Sequence, residues 1–294
     1  MPESVSKSIR PKFLAPKSNT VFQLLFGDPR NIDLLADFLK AVMNTQDDEY
    51  QDIVIVNPYL TREYPDKKLG IVDLRITTRS GQIIHVEIQR DHFFALRNRV
   101  VFYVSSLITG QIGEGDKYGG LKRAVSIVIT NHELITESPR YHHRFTLYDS
   151  SAAVEFTDLF EIRTLELPKI PKTPDVYLWH WLRFFSAETK EELEMVATAS
   201  PAIRKATARV LKLSKDERAR MLYEAELKAW RDEQAKLGDA ELKGRTEGRT
   251  EGRAEGRKEE RVAIAQNLRK MKMPFTKISK ATGFTIDEIK KITY

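Results

Sequence analysis

The sequence predicts an α/β fold, a mixed sheet flanked by helices, followed by an all-helical C-terminal half. Three observations carry that expectation. Two β-rich runs joined by a Gly-containing turn, Ile71–Thr77 and Ile83–Gln89, read as a hairpin. Ala124-Val-Ser-Ile-Val-Ile-Thr130 is continuously apolar, as a central strand buried on both faces must be. From Tyr177 to Lys236 the chain is rich in helix formers. At 294 residues it has room for more than one folding unit.

After an N-terminal arm over 1–16, the expected core runs from 17 to 170. Phe22-Gln-Leu-Leu-Phe26 reads as an apolar helix face packed on the sheet, capped by Ser18 or Asn19. The hairpin follows. The run Leu96 to Ile112 has few breakers and reads as a helix, on which Arg99 and Tyr103, spaced i, i+4, share one face. That face either contacts a nucleic-acid phosphate or braces neighbouring acids, or Arg99 pairs with an acid while Tyr103 packs in the core. Pro168 to Pro174 marks the end of the core. A helical region over 171–238 then offers Trp179, Trp181, Phe184, Phe185, Leu222, Tyr223 and Trp230 as packing residues.

Register decides what the hairpin can do. A two-residue turn at Ser80-Gly81 would set Asp73 against Ile88. A three-residue loop, Arg79-Ser80-Gly81 with Gly81 left-handed, pairs Thr78 with Gln82 and brings Asp73 opposite Glu87, with Gln89 on the same face. Facing carboxylates repel unless one is protonated or a cation lies between them. Hard oxygen donors with no Cys or clustered His nearby suit Mg²⁺ or Mn²⁺ better than zinc. Solvated residues on an open sheet face, with Arg75 as salt partner, would leave the same pattern.

Composition narrows the classes. There are no cysteines, which excludes disulfides, thiol catalysis and Cys-ligated zinc. The six His show no metal-ligand spacing, and no Ser/His/Asp triad or phosphate-cradling Gly loop stands out. No long apolar run suggests a membrane span, the first residues are too polar for a signal peptide, and a cytoplasmic location is expected.

The C-terminal part carries the charge. From Arg261 to Tyr294 there are 8 Lys+Arg and 2 Asp+Glu, so this piece accounts for the chain's whole net charge of +6. Its helices are expected over Val262–Lys272, Phe275–Ala281 and Ile286–Ile292, with a Thr285/Glu288 capping box and a small core of Phe275, Ile278, Phe284, Ile289 and Ile292. That is a helix-turn-helix outline, in which Lys277, Lys280, Lys290 and Lys291 would meet phosphates. The acidic start of the last helix, Asp287-Glu288, opposes a groove, so a protein-contact role stands equally. Between 239 and 260 lies a period-four repeat, Gly-Arg-x-Glu. Each step of four advances about 40° on a helix, which gives a glycine stripe with Arg and Glu flanks. It reads either as a flexible linker or as a helix that packs closely on another, making a homo-oligomer through the helical C-terminal region.

An ordered series of words resembles the recombination-promoting nuclease (Rpn) family, the PD-(D/E)xK nuclease family transposases. They are Val21-Phe-Gln-Leu-Leu-Phe-Gly27, Leu69-Gly-Ile-Val-Asp-Leu74, His85-Val-Glu-Ile-Gln89, Arg99 with Tyr103, then Gln111, Gly115, Tyr118 and Leu165-Glu-Leu-Pro-Lys169. The resemblance implies a restriction-endonuclease-like core and a metal-dependent DNA endonuclease that promotes recombination or transposition. Carried over residue by residue, Asp73 and Glu87 would be ligands, Ile88 would offer its backbone carbonyl, and Gln89 would stand where the superfamily has a water-orienting Lys. Gln89 agrees with the family's usual pattern but brings no positive charge, so modest catalysis is expected. Asn19 stands where the family commonly has an Asp, and Gln23 where it has a Lys. Two other readings remain: a non-catalytic DNA-binding or assembly protein, and a nuclease aimed at RNA, as in defence systems.

Overall fold

The computed structural model describes residues 13–46, 48–56, 74–91 and 94–292. Six strands form one mixed sheet in the order β1-β2-β3-β4-β6-β5: β1 (Val54–Ile55), β2 (Leu74–Thr77), β3 (Ile83–Gln89), β4 (Ala124–Thr130), β5 (His142–Asp149) and β6 (Val154–Glu166). β2 and β3 are antiparallel, β3, β4 and β6 run parallel, and β5 returns antiparallel along β6. β4 is buried at all seven positions, which is why its sequence does not alternate.

The β2–β3 turn has the three-residue form. Thr78 N–H donates to the Gln82 carbonyl at 3.0 Å, Gly81 N–H donates to Thr78 O at 3.0 Å, and Gly81 lies at φ +88°, a conformation that costs a side chain but not glycine. Leu74 therefore faces Val86, Arg75 faces His85, and Ile76 faces Ile84. Asp73 lies outside the described residues.

Helices cover both faces. Ile84, Val86 and Ile88 of β3 point into the larger core, shared with α1 (Asn19–Phe26), α2 (Ile32–Met43), α4 (Tyr177–Ser186), α5 (Lys190–Val196) and α6 (Pro201–Leu213). Its centre is aromatic: Phe22, Phe26, Phe38, Trp181 and Phe185 lie 5.1–6.3 Å apart by ring centroid where they pair. The buried Trp181 indole N–H is satisfied by Asp37 Oδ2 at 2.8 Å. α1 is capped by Ser18, whose hydroxyl accepts from Val21 N–H at 3.1 Å. It ends at Gly27, where a Cβ would sit 2.6 Å from the Gln23 carbonyl oxygen. The other face carries α3 (Leu96–Thr109), whose Leu96, Val100 and Val104 pack on Ala124, Val128 and Ile162.

The helices after Pro171 bury their apolar faces in the same core as the sheet. One compact unit therefore continues to Leu227, and a second runs from Lys228. The hydrophobic pattern of 177–227 is that of core-facing helices, so the prolines turn the chain without ending the core. α7 (Glu217–Lys270) begins in the first unit, and the Gly-Arg-x-Glu repeat is helical within it.

In the second unit, α8 (Phe275–Thr282) turns through left-handed Gly283 into α9 (Ile286–Lys291). The capping box forms, with Glu288 N–H on Thr285 Oγ1 at 3.3 Å and Thr285 N–H on Glu288 Oε2 at 2.7 Å. Ala265, Ile278 and Ile289 make the small core, with Leu268, Met273, Phe284 and Ile292 against it. Phe275, expected inside, is 40 % exposed and lies beside the Arg269 guanidinium instead. Among the described residues no helix is long and apolar enough to cross a membrane.

Candidate active site

Alternation along β3 puts His85, Glu87 and Gln89 on the α3 side of the sheet. Parallel pairing sets Glu87 beside Val128 and Gln89 beside Thr130, so the acid rises from an apolar floor. Its side chain is 1 % exposed. A carboxylate so placed needs a cation or a proton.

Arg99 supplies the cation. It stands one turn into α3, where the buried row Leu96, Val100 and Val104 presses the helix onto the sheet, and its Nη2 donates to Glu87 Oε2 at 3.1 Å and to Gln89 Oε1 at 2.7 Å. The Arg99 side chain is 18 % exposed, so the ion pair is only partly screened. One turn further, Tyr103 lies under the guanidinium, 6.0 Å from ring centroid to Arg99 Cζ, and 5.8 Å from the His85 ring. His85 is itself buried, with Nδ1 3.2 Å from Ser126 Oγ on β4. The i, i+4 pair thus braces the acid, and the structure brings Glu87, Gln89, Arg99 and Tyr103 together.

Asn19 is in the first turn of α1, where its backbone N–H and that of Thr20 donate to Glu226 of α7 at 3.0 and 2.9 Å. A carboxylate at a helix N-terminus is stabilising there, and no local motif announces it, because the two partners are 207 residues apart. Lys277, Lys280, Lys290 and Lys291 are exposed on α8 and α9 of the second unit, and Lys290 Nζ lies 3.5 Å from Asp287. Ile88 points its side chain into the main core.

Two charge clusters escaped the sequence reading. Glu166 and Lys169 pair at 2.8 Å, both almost fully buried, and Glu166 Oε2 also accepts from the backbone of Leu134 and Ile135. With Arg97 holding Leu134 O and Glu137, they fix the loop that follows β4 close to the end of β3. Glu161, on the opposite face, is held by Arg123, by Arg144 at 2.7 Å and by Arg163 at 2.6 Å. Burial raises the Glu161 carboxyl pKa and the arginines lower it, with a net lowering. These partners converge only once the strands are in register.

A cavity of about 980 Å³ opens between the C-terminal end of α2 and the start of β5, lined by Lys40, Arg140, His142, Arg163, Asp175 and Tyr177 among others. It contains none of the Glu87 row, and its charged groups are mostly committed to structural pairs, as Arg163 is to Val42 O and Tyr177 to Asp37. A carboxylate, an amide and a guanidinium converge instead at the β3 row.

The family model described as PD-(D/E)XK nuclease family transposase matches residues 16–240. No curated protein and no solved structure matches this chain.

Proposed function

Because this chain belongs to the PD-(D/E)XK nuclease family transposases, we propose that it is a metal-dependent DNA endonuclease that hydrolyses phosphodiester bonds and promotes recombination or transposition. The observation that carries the reading is the buried Glu87 beside Gln89 at the end of β3, facing Arg99. The hairpin register supports it, since the three-residue turn, with Leu74 opposite Val86, is the form that the reading requires.

Glu87, Asp73 and the Ile88 carbonyl would hold Mg²⁺ or Mn²⁺. The donor set fits such an ion by its chemistry: hard oxygens on an apolar floor, with no thiolate or imidazole among the three. Among the described residues no group of three His, Cys, Asp or Glu is arranged around a common point, so the set depends on Asp73. Bound there, the ion would lower the pKa of a water and stabilise charge on the scissile phosphate. The chain's own groups do the rest. Gln89 orients the water by hydrogen bonds, Arg99 holds Glu87 and Gln89 in place, and Tyr103 backs Arg99. The exposed lysines of α8 and α9 would add salt-sensitive contacts to phosphates, and the repeat helix would bring copies of the chain together. The proposed setting is the cytoplasm.

The test is cleavage of supercoiled plasmid and of an RNA of similar length, side by side, with Mg²⁺ or Mn²⁺ and with EDTA. Metal-dependent nicking of the plasmid is expected. Cleavage of RNA alone would move the activity to the other nucleic acid. Cleavage of neither with any ion would leave a DNA-binding or assembly protein, a reading that the uncharged Gln89 and Asn19 favour.

A further inference from the structure

Gln89 brings no charge of its own, but a charge is attached to it. A guanidinium has only donors, so the amide atom that Arg99 Nη2 meets at 2.7 Å is the Gln89 oxygen, and the orientation of the amide follows from that chemistry. The amide nitrogen is then turned away from Arg99. It donates to the Asp91 carbonyl at 3.3 Å and has a second N–H to give. The same Nη2 reaches Glu87 Oε2 at 3.1 Å, so one cationic group spans the acid and the amide.

We propose that Arg99 and Gln89 act as one donor unit that replaces the missing ammonium. Arg99 supplies the positive charge, and Gln89 passes its effect to the attacking water through the amide N–H. The inference rests on the nuclease reading above. Hydrogen bonds in series polarise one another, by roughly 10–30 % per bond, and a charged donor strengthens the first link about twofold over a neutral one. A guanidinium on the amide oxygen draws electron density from the N–H side and makes it a better donor. The charge also stands at a fixed point beside Glu87, in a site with little water to screen it. Arg99 is thus a positioning residue, acting through Gln89. Its second task is to neutralise Glu87 when no other cation is near, which sets it in competition with a metal ion for the same oxygen.

The experiment uses the full chain on supercoiled plasmid under single-turnover conditions with Mn²⁺. Wild type is compared with Arg99→Gln, Arg99→Lys, Gln89→Lys and the Gln89→Lys/Arg99→Gln double variant. Each variant is checked by thermal melting, and Mn²⁺ affinity is read by calorimetry. Arg99→Gln is expected to slow cleavage by roughly 10- to 100-fold, the range for loss of one preorganised donor at lower cost than a direct one. Arg99→Lys recovers part of the rate, and the double variant matches Gln89→Lys alone, because a lysine at 89 makes the relay unnecessary. Mn²⁺ affinity in Arg99→Gln stays equal or rises. Wild-type rates in Arg99→Gln, a double variant as slow as Arg99→Gln, or parallel losses of rate and Mn²⁺ affinity would each overturn the relay while leaving a nuclease. A wild type with no metal-dependent cleavage would overturn the nuclease reading and the relay with it.

Discussion

Replacing Gly244, Gly248, Gly252 and Gly256 by Ala tests what the repeat helix is for. Each glycine lies inside α7 with nothing within 4 Å of the place a Cβ would take, and every residue from 231 to 260 is exposed. Among the described residues of a single chain the new methyl groups meet no atom. They remove a helix-propensity penalty of about 0.8–1 kcal/mol per site, or roughly 3–4 kcal/mol for the four. The repeat has little to offset that penalty. The four Arg and four Glu of 244–259 are always two, six or more positions apart, so among these eight only like charges stand at i, i+4, and opposite pairs come from their neighbours, as in Lys243–Glu247 at 3.9 Å. The helical signal at 222 nm should therefore rise stepwise with each substitution, and its thermal loss should move upward. Sedimentation gives the second reading. If copies of the chain associate through the glycine stripe, the methyl groups keep the axes apart and shift the protein toward monomer even as helicity rises. No gain in helicity would refute the propensity argument, and unchanged association would show that the stripe is not the contact surface.

Other expectations follow from the charge clusters. Glu161→Gln leaves the nearly buried Arg163 without its counter-charge and should cost about 3–5 kcal/mol in urea unfolding, with no change in the register-dependent hydrogen bonds of β4 seen by amide exchange. A loss under 1 kcal/mol would mean that the three arginines are stabilised by solvent. Burial and the neighbouring Arg163 push the His142 imidazole down to about 4. A histidine whose folded value lies below its unfolded 6.5 folds neutral, so its stability is complete above pH 6.5, falls between 6.5 and 4, and is gone below. The whole drop is worth on the order of 2–3 kcal/mol for a partly exposed ring. Denaturant midpoints at pH 4.5 and 7.5 should differ more in the wild type than in His142→Asn; equal differences would remove His142 from the acid sensitivity.

Much of this was legible because it is local. The hairpin follows from Gly81 and the two β-rich runs around it, with its register open between a two- and a three-residue turn until the strands pair, and the uninterrupted apolar run 124–130 reads as a strand with helices on both sides. The i, i+4 spacing of Arg99 and Tyr103 needed only a helix to become one face, and the strand before it supplied the acid that the face braces. What stayed hidden depends on distant pairings. Glu226 reaches α1 from the far end of the first unit, and Glu161 gathers arginines from three separate positions. The helices after Pro171 look in sequence like a following region, yet their apolar faces complete the core of the sheet. Phe275 was misplaced for the opposite reason. Helical spacing alone put it inside, whereas the short α8 buries only Ile278 and Thr282 and leaves Phe275 beside Arg269 of α7.

If Glu87 anchors a hydrolytic metal site, nicking of supercoiled plasmid with Mn²⁺ by wild type, Glu87→Gln and Asp73→Ala proteins of matched folding will reveal it. Nicking by the wild type that EDTA abolishes and that both variants lose is the expected result. Nicking retained by a folded Glu87→Gln protein would contradict it and place the chemistry elsewhere in the chain.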